Sequence, residues 1–414
     1  MMVLSQKIQD IFSTRWKKTL ILMFFAHLVS SMGFSSIFPF LPLYVKELGT
    51  DTNFSIEFLS GLVFASQGVT MMIASPIWGS LADRMGRKLM VVRSMYGAAI
   101  ITLLMAFVGR AEDLVLLRAI QGTITGTIAA GSALVAAESP RERTGFALGM
   151  IQTALGLGNA LGPILGGIIA DLLGYHEVFY ITAGLLMTAG LIVTFGIQET
   201  FQPVRKDRSR PRMLDNWKKI LSTTGIKAAY ALRFISALAS TTLVPVAPLF
   251  VQMLLVSSTG LNTITGLVTG VASTTMTLSA VYLGQVGDRI GHRKILIWSS
   301  VAAVILFILQ ALVQDVWQLL FLQALVGVTG GGIIPSVSAL LTKSSKHGDE
   351  GTVFGLDNSI TSAARAIGPM IGAGIAAALN LRFAFLSISV LYGLMLITTV
   401  KFIHESKTDN SQPE

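Results

Sequence analysis

The sequence predicts an all-α membrane protein: twelve transmembrane helices arranged as two pseudo-symmetric six-helix bundles. Three observations carry the prediction. The 414 residues are 52% hydrophobic and only 13% charged, about half the roughly 25% charge of an average soluble domain. Twelve apolar segments are each long enough to cross a bilayer. Four motifs of the first half recur in the second, in one order and at nearly one spacing.

A hydrocarbon core about 30 Å thick takes roughly 20 apolar residues of helix, at about 1.5 Å each. Segments meeting this test lie at 20–45, 56–78, 89–108, 112–137, 145–171 and 178–197. Beyond a charged stretch, six more lie at 227–254, 262–284, 294–313, 316–342, 352–378 and 383–403. The first follows Lys17 and Lys18 and reaches Tyr44. It is too long for the apolar part of a secretion signal, about 7–15 residues, and holds no small-residue cleavage site. Mean hydropathy is +0.68. The 40 glycines suit membrane helices, whose interfaces favour small residues. With no cysteine, disulfides and thiolate metal sites are excluded.

Direction follows from Lys and Arg, which concentrate on the cytoplasmic side of membrane proteins. With the N-terminus inside, 25 of the 31 basic residues fall in inner segments. Three (Lys46, Arg110 and Arg382) fall in outer loops, and three (Arg118, Arg233 and Arg365) within spans. Both termini are therefore expected in the cytoplasm. This distribution accounts for the net charge of +9 without nucleic acid. The predicted domains are residues 1–197 and 227–414. They are joined by a cytoplasmic linker, 198–226, rich in basic residues and suited to anionic lipid, with an interfacial helix near 213–221.

The repeats are specific. FPFLP at 38–42 returns as VPVAP at 244–248, a shift of 206, and GSLADRMGRK at 79–88 returns as GQVGDRIGHR at 284–293, a shift of 205. LRAIQG at 117–122 returns as LQALVG at 322–327, and NALGPILGG at 159–167 as RAIGPMIGA at 365–373. Duplicated bundles with a site at their interface are a common plan for secondary transporters.

Each motif has a physical reading. In the 79–88 loop, Gly79 and Gly86 permit turns and caps that other residues resist. Asp83 suits the N-terminus of another helix, where a carboxylate is stabilised by about 0.3–2 kcal/mol. Arg84, Arg87 and Lys88 can hold carboxylates or lipid phosphates, or simply fix topology. In span five, Gly158, Gly162, Gly166 and Gly167 mark a small-residue face and Pro163 bends the helix. That face is expected to meet a helix of the opposite half. No GxxxxGK[ST] loop is present, so the ATP-binding loop of that type is absent and the energy source is read as a gradient.

Charges within spans cost at least about 2.5–3.5 kcal/mol at bilayer depth and are functional hypotheses by default. Arg118 lies in the outer half of span four. Its functional reading competes with a structural one, donation to carbonyls of span one. His27, the one titratable group of span one, either carries a proton or is a bonded structural histidine. Asp357 and Arg233 lie about five and six residues into spans eleven and seven, at similar depths of about 8–10 Å, and are expected to form a buried ion pair. Shifted by 206, His27 maps onto Arg233, Gln152 onto Asn358 and Asn159 onto Arg365. Arg365, near mid-membrane with no obvious acid, is read as facing either a wet cavity with an anionic ligand or helix dipoles and carbonyls.

These motifs resemble the major facilitator superfamily over essentially the whole chain. LRAIQGTITG with Arg118, and GNALGPILGG, resemble the motifs of its twelve-span drug:proton antiporters. FPFLPLYVKELG, SPIWGSLADRMGRKLMVVRS and ETFQP look like the MdtG branch of bacterial multidrug exporters. The resemblance implies the major facilitator fold in a bacterial cytoplasmic membrane. It implies a proton-coupled exporter of amphipathic small molecules: no enzyme, a monomer, with substrates, protons and lipids as partners and no cofactor or metal. It places the Asp83 latch against the start of span eleven, with Arg84 and Gly86 beside it and Asp288 and Gly291 as a weaker twin. It makes Gly158, Gly162, Pro163 and Gly166 a seal or pivot, and assigns Arg118 to proton coupling. His27, Asp357, Arg233 and Arg365 are further coupling candidates. Phe34, Phe38, Gln121 and Gln323 are expected to line the cavity. Span one departs from the pattern in holding no Asp or Glu. The alternative reading is a transporter of one polar or anionic metabolite, held by Arg233 and Arg365.

Overall fold

The computed structural model describes residues 14–124, 126–140, 143–199, 226–255, 259–344 and 350–403, without the side chains of 76, 79, 80, 83, 129, 342–344 and 350–355. The helix expected near 213–221 lies outside them, as does most of the linker. Among the described residues the regular structure is helical. The first half holds α1 (Arg15–Ile37), α2 (Leu41–Leu48), α3 (Ile56–Met85), α4 (Arg87–Met105), α5 (Ala111–Ile124), α6 (Thr127–Glu138), α7 (Thr144–Leu172) and α8 (Tyr175–Gly196). The second holds α9 (Ile226–Thr242), α10 (Ala247–Leu254), α11 (Leu261–Ile290), α12 (His292–Leu312), α13 (Val316–Ser344), α14 (Glu350–Ala378) and α15 (Leu381–Phe402).

Ten of these helices are long and apolar enough to cross a membrane, and α9 with α10, bent by 41°, makes an eleventh crossing. The fourth expected span is divided into α5, 14 residues, and α6, 12 residues. They meet at Gly126, whose φ of +155° lies where side chains are strained, so the helix cannot run through it. Span one breaks in the same way as span seven. Pro42 stands in the first turn of α2 and Pro248 in the first turn of α10, where a missing N–H costs nothing. The prolines that mark the sequence repeat thus mark a repeated bend. Gly86 and Gly291, also repeat partners, both take positive φ, +98° and +97°, at the tight turns between α3 and α4 and between α11 and α12.

Packing repeats as well. In the first half α1 lies against α7 and α8, α3 against α5, and α4 against α8. In the second α9 lies against α14 and α15, α11 against α13, and α12 against α15. Each half has its own apolar core, with Met95, Leu134 and Ile151 in the first and Leu296, Phe307 and Phe385 in the second. The halves meet along two seams, α7 on α11 and α3 on α14.

Those seams are tight toward the Lys/Arg-poor end. Gly266 and Gly270 of α11 back onto Pro163 and Ala160, and Gly61 and Gly68 of α3 back onto Pro369 and Ala366. Along α11, six of the first ten residues are buried but only Gly287 among the last twenty. The seam is therefore uncovered toward the Lys/Arg-rich end.

Candidate functional site

The helix α7 arranges its side chains by the 100° step of the α-helix. Gly158, Gly162 and Gly166 come round to one side, and that side meets α1 of the same half, not the opposite half as the sequence suggested. A Cβ on Gly158 would stand 2.6 Å from the Ser31 Cβ, and one on Gly162 or Gly166 would collide with Ser35 or Ser36. Ser35 Oγ donates to the Gly158 carbonyl at 2.9 Å. The opposite half is met by the next side round, Gly156, Ala160, Pro163 and Gly167. Both sides are small, so spacing alone did not say which neighbour each would meet.

Between those two sides stand Gln152 and Asn159, both exposed. Their repeat partners Asn358 and Arg365 are exposed at the matching place on α14, between its α9-facing and α3-facing sides. The flanking Ala364 and Ala366 are buried. The Ala364 carbonyl accepts from Thr241 Oγ1 at 3.2 Å, while a Cβ on Gly68 would come within 2.9 Å of the Ala366 backbone. Arg365 therefore projects into the seam between the halves, and among the described residues no partner neutralises it. Leu157, Leu161 and Leu165, by contrast, are exposed on the far side of α7, the side for lipid. Ser31 Oγ donates to Asn159 Oδ1 at 3.0 Å, which leaves the Asn159 amide hydrogens free to face the seam. Sequence reasoning paired these four positions by the 206 shift but did not name Gln152, Asn159 or Asn358 as site residues.

Arg233 and Asp357 meet. The Arg233 Nε donates to Asp357 Oδ1 at 2.9 Å, with the side chains 20% and 14% exposed, so the pair is largely out of solvent. In the first half the charge is handled differently. Arg118 is buried and donates through one nitrogen to Gln67 Oε1 at 3.2 Å and Gln121 Oε1 at 3.1 Å. Its alternative partners, the carbonyls of span one, are not used in these bonds. Its Nε and the other terminal nitrogen are buried without a partner. Gln121 Nε2 in turn donates to Thr102 Oγ1 at 2.9 Å. Gln67, on α3, is a polar residue that sequence reasoning passed over.

His27 is 1% exposed. Its Nδ1 donates to the Met23 carbonyl at 3.0 Å, and a Cβ on Gly131 of α6 would collide with its ring. The ring is thus packed between helices of one half, not open to the seam.

Three of the four expected cavity contacts are displaced. Gln121 is fully buried in the first half, Gln323 is 6% exposed, and Phe34 packs on Ala98, Ala99 and Leu186 of α4 and α8. Rotation about the helix axis decides this, and a hydropathy pattern does not give it. Phe38 is half-buried with its ring 5.9 Å from that of Phe64.

At the Lys/Arg-rich end, the side chains of Asp83 and of 352–355 lie outside the described residues, so the contact expected between them does too. Arg84 is exposed. Asp288 accepts from His292 Nε2 at 3.1 Å, one turn along its own chain. Glu199 receives the Arg87 and Lys88 backbone N–H groups, both at 2.9 Å, and so caps α4 from the end of α8. At the opposite end a carboxylate crosses the seam. Asp171 Oδ1 accepts from the Asn262 N–H at 3.1 Å and its Nδ2 at 2.9 Å, and Oδ2 accepts from the Thr263 N–H at 2.7 Å. Nearby, Lys46 Nζ donates to Gln252 Oε1 at 3.0 Å, joining two positions related by the 206 shift.

Two like helical bundles, closed on each other at one end around a polar seam, define a multi-pass membrane carrier. A family model described as the Major Facilitator Superfamily matches residues 23–254 and 229–414. The chain belongs to that superfamily, and is a transporter, not an enzyme. It is 36% identical over 375 residues to the multidrug resistance protein MdtG of Salmonella arizonae, covering 89% of this chain and 91% of that one. It is 37% identical to MdtG of Enterobacter lignolyticus over 375 residues, 90% and 88% of the two chains. Among solved structures, a bacterial homologue of the lysosomal transporter Spinster, inward-facing and unoccupied, matches with a TM-score of 0.76 at 12% identity over 94% of this chain and 98% of that one. The nucleoside transporter NupG matches with a TM-score of 0.76 at 14% identity, covering 94% and 100%. These last likenesses concern the fold.

Proposed function

We propose that this protein exports amphipathic small molecules from a bacterial cytoplasm in exchange for protons, by alternating access of residues 1–197 and 227–414 about their seam. Both termini and the linker 198–226 are placed in the cytoplasm by the Lys and Arg distribution, which makes the closed end external and the uncovered end internal. The supporting observation for alternating access is that asymmetry of closure in two bundles packed alike. Export of several drugs is supported by the similarity to the MdtG proteins along nearly the full length. The Arg233–Asp357 pair is assigned the proton: a carboxylate whose cationic partner is near in one state and far in another gains and loses proton affinity. Arg118, His27 and Arg365 remain further candidates. Asp83, with Arg84 and Gly86, is proposed to close the internal end against the start of α14, and Asp288 with Gly291 to do so more weakly. Bound lipid, a monomeric state and freedom from cofactors belong to the same reading.

Proton-loaded everted vesicles test it. Adding ethidium or a comparable amphipathic drug is expected to release protons from the vesicle lumen and to drive drug uptake that collapses with an uncoupler. Uptake insensitive to the pH gradient overturns the proton assignment.

A second reading, transport of one anionic metabolite, is favoured by the unneutralised Arg365 and by the exposed amides of Gln152, Asn159 and Asn358 at the matching places on α7 and α14. Under it, organic anions at modest concentration abolish any dye uptake and Arg365→Gln removes their transport. Under the first reading, with the proton on the Arg233–Asp357 pair, Arg365→Gln leaves ethidium transport within about twofold.

A further inference from the structure

The repeat partners α3 and α11 begin differently, and the difference crosses between the halves. A helix leaves its first N–H groups without intrahelical acceptors, and a side chain usually supplies one. For α3 the supply is local: Ser55, its N-cap, accepts from the Phe58 N–H at 3.2 Å. The position equivalent to Ser55 at the shift of 205 is Gly260, which has no side chain to offer and takes φ +73°. The missing acceptor comes from the other half. Asp171, at the end of α7, receives the second and third N–H groups of α11 and the Asn262 amide. The residue equivalent to Asp171 in the second half, at the shift of 206, is Ala377, so α3 receives no such cap in return. The exchange is one-sided and complementary: where the helix lost its own cap, the opposite bundle carries a carboxylate.

We infer that Asp171 is the external latch of the transport cycle, holding the closed outer end by capping α11 across the seam. This rests on the alternating-access reading given above. The bonds are made only while α7 and α11 are in register at their outer ends, because three donors converge on one carboxylate. Opening outward strands two backbone N–H groups and the carboxylate and sends them back to water. The latch thus adds stability to the inward-open state alone, which is the requirement for shifting a two-state equilibrium. Lys46 and Gln252 add a second, solvent-exposed tie at the same end.

The chain has no native cysteine, so paired spin labels can be attached to the otherwise unaltered full-length protein. One pair, at Gly109 and Gln314, reports the outer end, and another, at Phe146 and Gln285, reports the inner end. All four positions are exposed, and none belongs to the polar seam. In lipid nanodiscs Asp171→Ala is expected to lengthen the outer distance and shorten the inner one in the same molecules. The outward-open to inward-open ratio should rise by about tenfold, which corresponds to about 1.4 kcal/mol. Asn262→Asp, which sets a second carboxylate against Asp171 without altering α7, should move both distances the same way. Asp171→Asn, keeping one acceptor oxygen, should give a smaller shift.

An outer distance that lengthens while the inner one stays fixed means local fraying and overturns the latch. So do unchanged distances in both variants when the wild type itself responds to pH or drug. A wild type held at one pair of distances under every condition overturns the alternating-access reading, and the latch with it.

Discussion

The two halves treat their membrane-buried arginines in opposite ways. In the second, Arg233 has a carboxylate partner at 2.9 Å. In the first, Arg118 is more deeply buried and has only two glutamine oxygens. The two are not repeat partners, since the shifts of 205 and 206 set Arg118 against Gln323 and Arg233 against His27. The contrast is therefore one of place in the bundle as well as of chemistry. An ion pair can exchange a proton with water when its members separate. A guanidinium among amides stays charged at every relevant pH and can only orient its neighbours or lend its field to them.

The largest effect should come from breaking the pair. Asp357→Asn leaves Arg233 charged and unpartnered, and loss of one member of a buried pair costs about 3–5 kcal/mol. The expected result is a marked fall in the unfolding midpoint of the purified protein, together with efflux that no longer follows the pH gradient. If proton coupling persists in what folds, the pair is structural and the contrast between halves loses its functional meaning.

Arg118→Met should cost far less stability, within about 1 kcal/mol, because no carboxylate is stranded and Gln67 Nε2 already lies 3.4 Å from Gln121 Oε1. Transport should nevertheless fall, since the network reaching Thr102 loses its organising cation. A stability loss as large as that of Asp357→Asn would show that the two arginines are equally structural. The smallest effect belongs to His27. Its Nε2 is buried without a partner, so His27→Gln should leave the pH profile of efflux unmoved and change stability by less than about 1 kcal/mol. A displaced pH profile would bring the proton back to the first half and reverse the comparison.

Much of this was legible beforehand, for identifiable reasons. Span positions follow from the bilayer as solvent, and the repeat fixed equivalent positions so firmly that Pro42 and Pro248, or Gly86 and Gly291, adopt matching conformations. Arg233 and Asp357 were brought together by depth alone, because a membrane interior leaves a charge few alternatives. Rotation about each helix axis was not legible. Small residues on two adjacent sides of α7 look the same in a sequence, so Gly162 was assigned to the wrong neighbour, and Gln121 and Phe34 to a cavity they do not face. Asp171 carried no signal of its own: it lies at a span end, matches no repeat, and gains meaning only beside Gly260.

The two crowded sides of α7 have an evolutionary consequence. Any side chain at Gly158, Gly162 or Gly166 strikes α1, and any at Gly167 strikes the start of α11. The stripe through Leu157, Leu161 and Leu165, exposed toward lipid, the narrow polar strip of Gln152 and Asn159 and the open positions Gly145 and Gly149 can change without displacing a neighbouring backbone. A population selected for a new cargo therefore has few useful moves on this helix. Adaptation should pass through that polar strip and its counterpart on α14, while substitutions on the two crowded sides of α7 are removed as carriers that no longer assemble.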